Sequence, residues 1–209
     1  MYEKFGKRLI DIVLAVCGIV VLIPVWLVLA IAIKIDDPGP ILFKQKRIAQ
    51  DKNGQKRFFQ IYKYRSMKMS TPKDCPTHLL ENPQQYITKV GGFLRKTSLD
   101  ELPQIFNILF GQMSVIGPRP ALWNQDDLYE ERAKYGANAV KPGLTGWAQI
   151  NGRDELPIEV KAALDGEYVR KMSFAFDVKC FLGTIVSVLK HDGVVEGGTG
   201  AMEKENIRK

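Results

Sequence analysis

The chain has 209 residues, 45% of them hydrophobic, which is enough for one sizeable core, and no serine-rich or glycine-rich stretch divides its middle into two domains. A formal charge of +7 and a pI near 9.2 point to anionic partners: nucleic acid, phosphorylated small molecules or acidic lipid headgroups. Three widely spaced cysteines (Cys17, Cys75, Cys180) without a CxxC pattern, and only two histidines (His78, His191), argue against a disulfide framework, a zinc site or another soft-metal centre.

The first element is a membrane segment. Ile12 to Ile33 carries no charge over 22 residues, which at about 1.5 Å per residue matches a hydrocarbon core of about 30 Å. A cleaved signal peptide fits less well, because the apolar run exceeds the usual length and no small-residue cleavage site follows. Lys4, Lys7 and Arg8 precede the run and Lys34, Lys44, Lys46 and Arg47 follow it, so the positive-inside bias asks both ends to stay on one side. Pro24 sits near its middle, where it removes a backbone donor. A kinked span is one outcome; a helix that enters, bends and returns to the same face is the other, and it is favoured by equal basic flanks and a central proline.

After Asp36 to Pro40 stops the helix, PILFKQKRI and KRFFQIYKY read as two strands around a turn at Asn53-Gly54, forming a basic hairpin. Its aromatics suit nucleic-acid stacking or a half-buried strand pair, and the membrane segment disfavours the former. Met69 to Gln85, with three prolines, reads as an exposed loop. Further on, IGPRPALW is stiffened by Pro118 and Pro120, DDLYEERAKYG is a charged helical stretch, and KPGLTGWAQINGRD supplies turns. Helical periodicity returns at 158–170 and 177–189, where Val178, Phe181, Leu182, Ile185, Val188 and Leu189 form one apolar face. That face either packs on a core or, in a chain tied to a bilayer, lies on the membrane surface. The residues from 197 onward have little to bury and are expected to be flexible.

Thr97 to Phe106, TSLDELPQIF, carries the chemistry. Ser98-x-x-Glu101 fits a capping box, but Pro103 disturbs it. With Ser98 as N-cap, Pro103 falls at the fifth helical position and clashes with the carbonyl of Leu99; with Asp100 as N-cap, it falls at N3 and lacks the N–H that a cap binds. Either way one carboxylate stays available at a positive helix end, which keeps it ionised and attracts phosphate. An ionised aspartate facing phosphorus is a competent nucleophile, and a neighbouring acid can hold Mg²⁺ against the same phosphate. Arginines would then neutralise phosphate charge. Arg95, Arg119 and Arg153, at or near turns, and Lys63 on the second strand are the candidates, although each alone reads more readily as a solvated surface charge. No P-loop, dinucleotide-binding, GxSxG or HExxH motif is present.

Taken in order, KRLIDI, the proline-broken apolar helix, FKQKR, IYKYRSM, TSLDELPQIFNILFGQMSVIGPRP, KPGLTGWAQINGR and SFAFDVK resemble the monotopic phosphoglycosyl transferases, also called the bacterial sugar transferase family, in their minimal catalytic form. The resemblance covers nearly the whole chain. It implies transfer of a sugar 1-phosphate from a UDP-sugar to undecaprenyl phosphate, with release of UMP, through a covalent phosphosugar on the aspartate of an Asp-Glu dyad, with Mg²⁺ as cofactor, starting assembly of a glycoconjugate. Carried over by motif, Asp100 is the nucleophile and Glu101 the magnesium ligand, while Lys63, Arg95, Arg119, Arg153 and Asp165 match substrate-binding positions. Where most relatives have serine before the helix-breaking proline, this chain has Ile23.

The expected fold is α+β and mostly helical. A re-entrant helix-break-helix membrane segment (1–36) precedes an interface-associated catalytic domain (37–196) with a short β-hairpin and amphipathic helices, and a flexible tail (197–209) follows. The expected location is the cytoplasmic face of the bacterial inner membrane, with bilayer lipids as partners and no nucleic acid. Two rivals remain: a non-catalytic basic membrane adaptor, and a direct glycosyl transferase releasing UDP.

Overall fold

A computed structural model describes residues 2–52, 54–71, 82–152 and 156–190. Residues 72–81 of the expected loop, Asn53 of the expected turn and the tail 197–209 lie outside them.

A π-helical turn, Tyr2–Gly6, leads into α1 (Lys7–Val21), and α2 (Ile23–Asp36) follows at an angle of 63°. The break is at Leu22, one residue before the Ile-Pro pair. Pro24 therefore lies in the first turn of α2 rather than inside a continuous helix, and its missing N–H is one that a helix start would leave unpaired anyway. Among the described residues no single helix is long and apolar enough to cross a membrane, whereas the bent pair passes together. Its outer surface is apolar: Leu9, Val13, Val20, Leu27, Val28 and Ile31 are all more than half exposed.

Several charges at the ends of this pair are turned inward. Arg8 donates Nη1 to Ile108 O at 2.6 Å and Nη2 to Leu109 O at 2.8 Å. Asp11, 3% exposed, accepts from Ser114 Oγ at 3.0 Å and Val115 N at 2.9 Å. Lys7 Nζ lies 2.6 Å from Asp177, whose carboxylate also accepts from Tyr2 and Tyr168. At the far end Asp36 accepts from Val90 N at 2.7 Å, and Asp37 is clamped by Arg65. Two of the basic residues read in the sequence as topological markers, Lys7 and Arg8, are thus also structural pins.

The two expected strands form: β1 (Leu42–Ile48) pairs antiparallel with β2 (Phe58–Tyr64), Leu42 facing Tyr64 and Ile48 facing Phe58. Alternation buries Phe59 and Ile61, which join Ala15, Ile108 and Met113 in one core cluster linking β2 to α1 and to α4 (Gln104–Leu109). The outer edge of β2 is closed by a side chain. Asn107, fully buried, accepts from Tyr62 N at 3.0 Å and donates to Gln60 O at 2.7 Å and to Gln112 Oε1 at 2.7 Å.

Before α4, helix α3 (Lys89–Lys96) starts on a Thr88 cap that accepts from Gly91 N. Only glycine fits at position 91, since a β-carbon there would lie 2.0 Å from the Ser66 carbonyl oxygen. After α4, β3 (Ser114–Ile116) runs parallel to β4 (Gly143–Thr145), a pairing too short to announce itself in the sequence. Helices α5 (Asp126–Ala133), α6 (Trp147–Ile150), α7 (Ile158–Lys171) and α8 (Phe174–Lys190) complete the described fold.

In α8 the structure resolves an open alternative. The helix packs inward through Asp177, Cys180 and Thr184, the last meeting Thr145 at 2.7 Å. The apolar face read from periodicity points the other way, with Val178, Phe181, Leu182, Ile185 and Val188 exposed. It does not pack on the core.

Asn107→Leu removes three part-buried hydrogen bonds and unpairs two backbone groups of β2. Each orphaned group is worth roughly 1–3 kcal/mol, so the expected loss is about 3 kcal/mol, read as a lower thermal midpoint. An unchanged midpoint contradicts this role.

Candidate active site

Asp100 and Glu101 do not open an α-helix. They lie in a 3₁₀ turn, Leu99–Glu101, and α4 begins three residues later with Pro103 as its N-cap. Ser98, expected as a possible cap, instead adopts left-handed angles (φ 57, ψ 17) and makes no side-chain cap bond. The reason is Pro103, which is unsuited to the interior of a longer helix but compatible with a helix start. Neither carboxylate caps anything, so both project from a tight turn whose entry is a strained residue, a feature that clusters at functional sites.

Three cations converge on the pair. Glu101 Oε1 accepts from Lys63 Nζ at 2.8 Å and Arg119 Nη2 at 2.9 Å, while its Oε2 has a longer 3.4 Å contact with Arg119 Nη1. Lys63 Nζ is also 4.0 Å from Asp100 Oδ2. Arg95, in the last turn of α3, donates Nε to Ser66 Oγ at 2.9 Å, and its charge acts on Asp100. Lys63 comes from β2. Arg119 comes from the Pro118–Pro120 turn, which is tied to the parallel pair by Gly117 N to Thr145 O and Gly143 N to Pro118 O, both 2.8 Å.

The two acids are treated oppositely. Burial pushes Glu101 up, but the charges and hydrogen bonds of Arg119 and Lys63 outweigh it and hold the group well below the usual carboxylate range. Asp100 is pushed upward, first by burial and then by the neighbouring Glu101 charge, against the pull of Lys63, Arg95 and Arg119. The side chains keep 13% and 16% of their exposure, so the dyad is accessible from solvent. Glu101 is thus a fixed anion, and Asp100 is a more basic carboxylate, hence a better nucleophile once ionised. This differs from the expectation of a helix dipole that simply keeps the nucleophile ionised.

For a divalent cation the donor set is small. Among the described residues no group of three or more His, Cys, Asp or Glu side chains gathers. Glu101, ionised and with its Oε2 lightly engaged, is the side chain suited to one, in the manner of Mg²⁺ sites that use one or two carboxylates and take the rest from phosphate and water.

Of the other expected site residues, Arg153 lies outside the described residues. Asp165 does not join the dyad. It is 1% exposed on the buried face of α7 and paired with Arg132 of α5, with Nη2 at 2.6 Å and Nε at 2.8 Å. The charges acting on it are those of Arg132 and Lys161, and none of the cations around Asp100 is among them. The physical reason is helical spacing: Ala162, Asp165, Gly166 and Tyr168 form the inward face of α7. Ser66 and Asn107, which support the site, were not singled out by sequence reasoning; the position of Asn107 on the buried face of α4 was the available signal.

The bacterial sugar transferase family model matches residues 2–191. The chain belongs to this family. It is 41% identical over 190 residues to the UDP-glucose:undecaprenyl-phosphate glucose-1-phosphate transferase of Escherichia coli (strain K12), covering 88% of this chain and 40% of that protein. The enzyme of the same description from Xanthomonas campestris pv. campestris is 37% identical over 195 residues, 90% of this chain and 40% of its own length. The sugar transferase EpsL of Bacillus subtilis (strain 168), whose function is uncharacterized, is 38% identical over 192 residues, covering 90% of this chain and 89% of that one. The chain therefore spans 40% of the length of the two named transferases, and most of the shorter relative.

Lys63 is the strongest electrostatic support for ionised Asp100. Lys63→Met is expected to raise the Asp100 pKa further, measured by carboxyl NMR titration in metal-free buffer; a fall or no change overturns the assignment.

Proposed function

We propose that this family member transfers a sugar 1-phosphate from a UDP-sugar to undecaprenyl phosphate, releasing UMP and so starting glycoconjugate assembly. The observation that carries the reading is the adjacent carboxylate pair, Asp100 and Glu101, presented from one tight turn among Lys63, Arg95 and Arg119. The substrates are those in the names of the two transferases from Escherichia coli and Xanthomonas.

In the first half-reaction an Asp100 carboxylate oxygen bonds to the phosphorus that carries the sugar. The bond from that phosphorus to the bridging oxygen breaks, and UMP leaves with the electron pair. In the second, a phosphate oxygen of undecaprenyl phosphate attacks the same phosphorus, the bond to Asp100 breaks, and the carboxylate is regenerated alongside the lipid-linked sugar diphosphate. One phosphate pocket serves both steps, which suits a single dyad. Lys63 and Arg119 keep Glu101 ionised and in place, and Arg95 adds positive charge beside Asp100. Mg²⁺ is the proposed cofactor, with Glu101 as its protein ligand; bound there it would offset diphosphate charge.

A lipid acceptor and a soluble donor meet at an interface, and the apolar surfaces suit one. The bent α1–α2 pair would insert as a re-entrant element, and the exposed face of α8 would lie along the same bilayer surface. The basic flanks favour the cytoplasmic face of the inner membrane.

UMP release is measured with a panel of UDP-sugars, undecaprenyl phosphate and Mg²⁺. Asp100→Asn, or omission of Mg²⁺, is expected to abolish it, and Asp100→Asn also abolishes trapping of labelled phosphosugar on the protein while leaving membrane association intact. Substantial turnover by Asp100→Asn removes the nucleophile assignment; UDP as product indicates direct glycosyl transfer; no release from the wild type leaves a membrane adaptor.

The topology has its own test. In a background without native cysteines, Glu3→Cys and Lys34→Cys are both expected to react with impermeant reagent only from the cytoplasmic side. Opposite sidedness refutes re-entrance.

A further inference from the structure

Gln104 opens α4, three residues after Glu101 and four after Asp100. The backbone between them stays right-handed helical, with Leu102 at φ −51, ψ −40 and Pro103 at φ −61, ψ −14. Residues three or four apart on such backbone share a face. Glu101, Gln104 and Asn107 therefore form one row, and both of its ends meet β2: Glu101 through Lys63, and Asn107 through Tyr62 N and Gln60 O. Gln104 stands between them, 2% exposed.

The two amides of this row differ in one respect. Asn107 uses both its donor and its acceptor on protein partners. The Nε2 of Gln104 is buried without a hydrogen-bond partner. Buried donors are nearly always paired, and an unpaired one is destabilising, so a residue of this kind one turn from a reactive dyad needs an explanation.

The charges around the dyad supply one. Lys63 and Arg119 both hydrogen-bond Glu101, so part of their donor capacity is committed before any substrate arrives. A phosphoryl group in transfer spreads negative charge over its non-bridging oxygens and is stabilised by donors aimed at them. A further cation there would also pair with the carboxylates of the dyad, as Lys63 and Arg119 already do. A neutral amide N–H donates to the phosphoryl group without that effect.

We propose that Gln104 is a further substrate-binding residue, whose Nε2 donates to a non-bridging oxygen of the phosphoryl group held at Asp100. The inference rests on the transferase reading above. It accounts for a donor left unpaired in the free protein: substrate is its partner.

The test uses the full chain in lipid nanodiscs, with UMP release from the UDP-sugar panel and undecaprenyl phosphate, alongside thermal melting. Gln104→Met keeps the length and removes the orphan donor, so it is expected to melt at the same temperature or higher while kcat falls about 10²-fold. KM for the donor changes less, because the bond strengthens as charge develops. Gln104→Glu, nearly the same shape with an acceptor and a charge where the donor stood, is expected to lose at least as much. A packing role predicts the reverse, a lower melting temperature with kcat kept in the folded fraction. If Gln104→Met melts lower, Gln104→Glu decides, and near-wild-type kcat there overturns the proposal. Active wild type with unaffected variants defeats the Gln104 proposal alone; wild type that releases no UMP with any donor defeats both.

Discussion

The constraint on which the site depends is the partial burial of two carboxylates adjacent in sequence. Like charges taken out of water resist ionising together, and the protein must compensate one or let both protonate. Here compensation goes to Glu101, which receives Lys63 from the hairpin and Arg119 from the turn after β3. Much of the domain's architecture follows from delivering those cations. Asn107 fixes α4 against β2, which sets Lys63 opposite the dyad, and glycines let the backbones of the β3–β4 pair approach closely enough to hold the Arg119 turn. Asp100, left less compensated, is the more basic carboxylate of the two.

The same segment is tied to the bent helix pair from both sides. Arg8 of α1 grips the last carbonyls of α4, and at Gly18 a side chain would press within 2.6 Å of Ile105 Cδ1. Trp26 of α2 meets Phe106 edge-to-face at 5.0 Å, and Asp36 holds the start of α3, the helix that carries Arg95. The dyad thus lies between two helices that are each pinned to the apolar pair. Such bracing gives a physical reason for an apolar segment to be more than a tether: its own packing fixes the position and orientation of the site relative to the exposed apolar side of the pair.

What was legible in the sequence follows from the range of the interactions. Alternation in KRFFQIYKY, the 3.6-residue period of α7 and α8, and the uncharged run around Pro24 are local patterns, and each element formed close to where it was read. The dyad stood out because its proline conflicts with ordinary capping. Partnerships set by tertiary packing were not legible. Nothing local in the sequence announces that Asp165 pairs with Arg132, 33 positions away, in a buried ion pair. The apolar face of α8 looks like a core face until Asp177, Cys180 and Thr184 are seen to do the packing. Three-residue strands such as β3 and β4 carry too little pattern to be read at all.

Ser98 shows where local and global preferences part. Its position favours a capping box, and the left-handed angles it adopts are uncommon for a residue with a β-carbon. Capping would have spent Glu101 on a backbone N–H and left Pro103 inside a helix. The observed turn satisfies the proline, leaves both carboxylates uncapped, and is held in place by α3 before it and α4 after it. A strained residue persists only where its surroundings over-determine it. Here those surroundings are the two helices braced by the apolar pair, so the backbone strain at the dyad and the packing of the bent segment are parts of one mechanical arrangement.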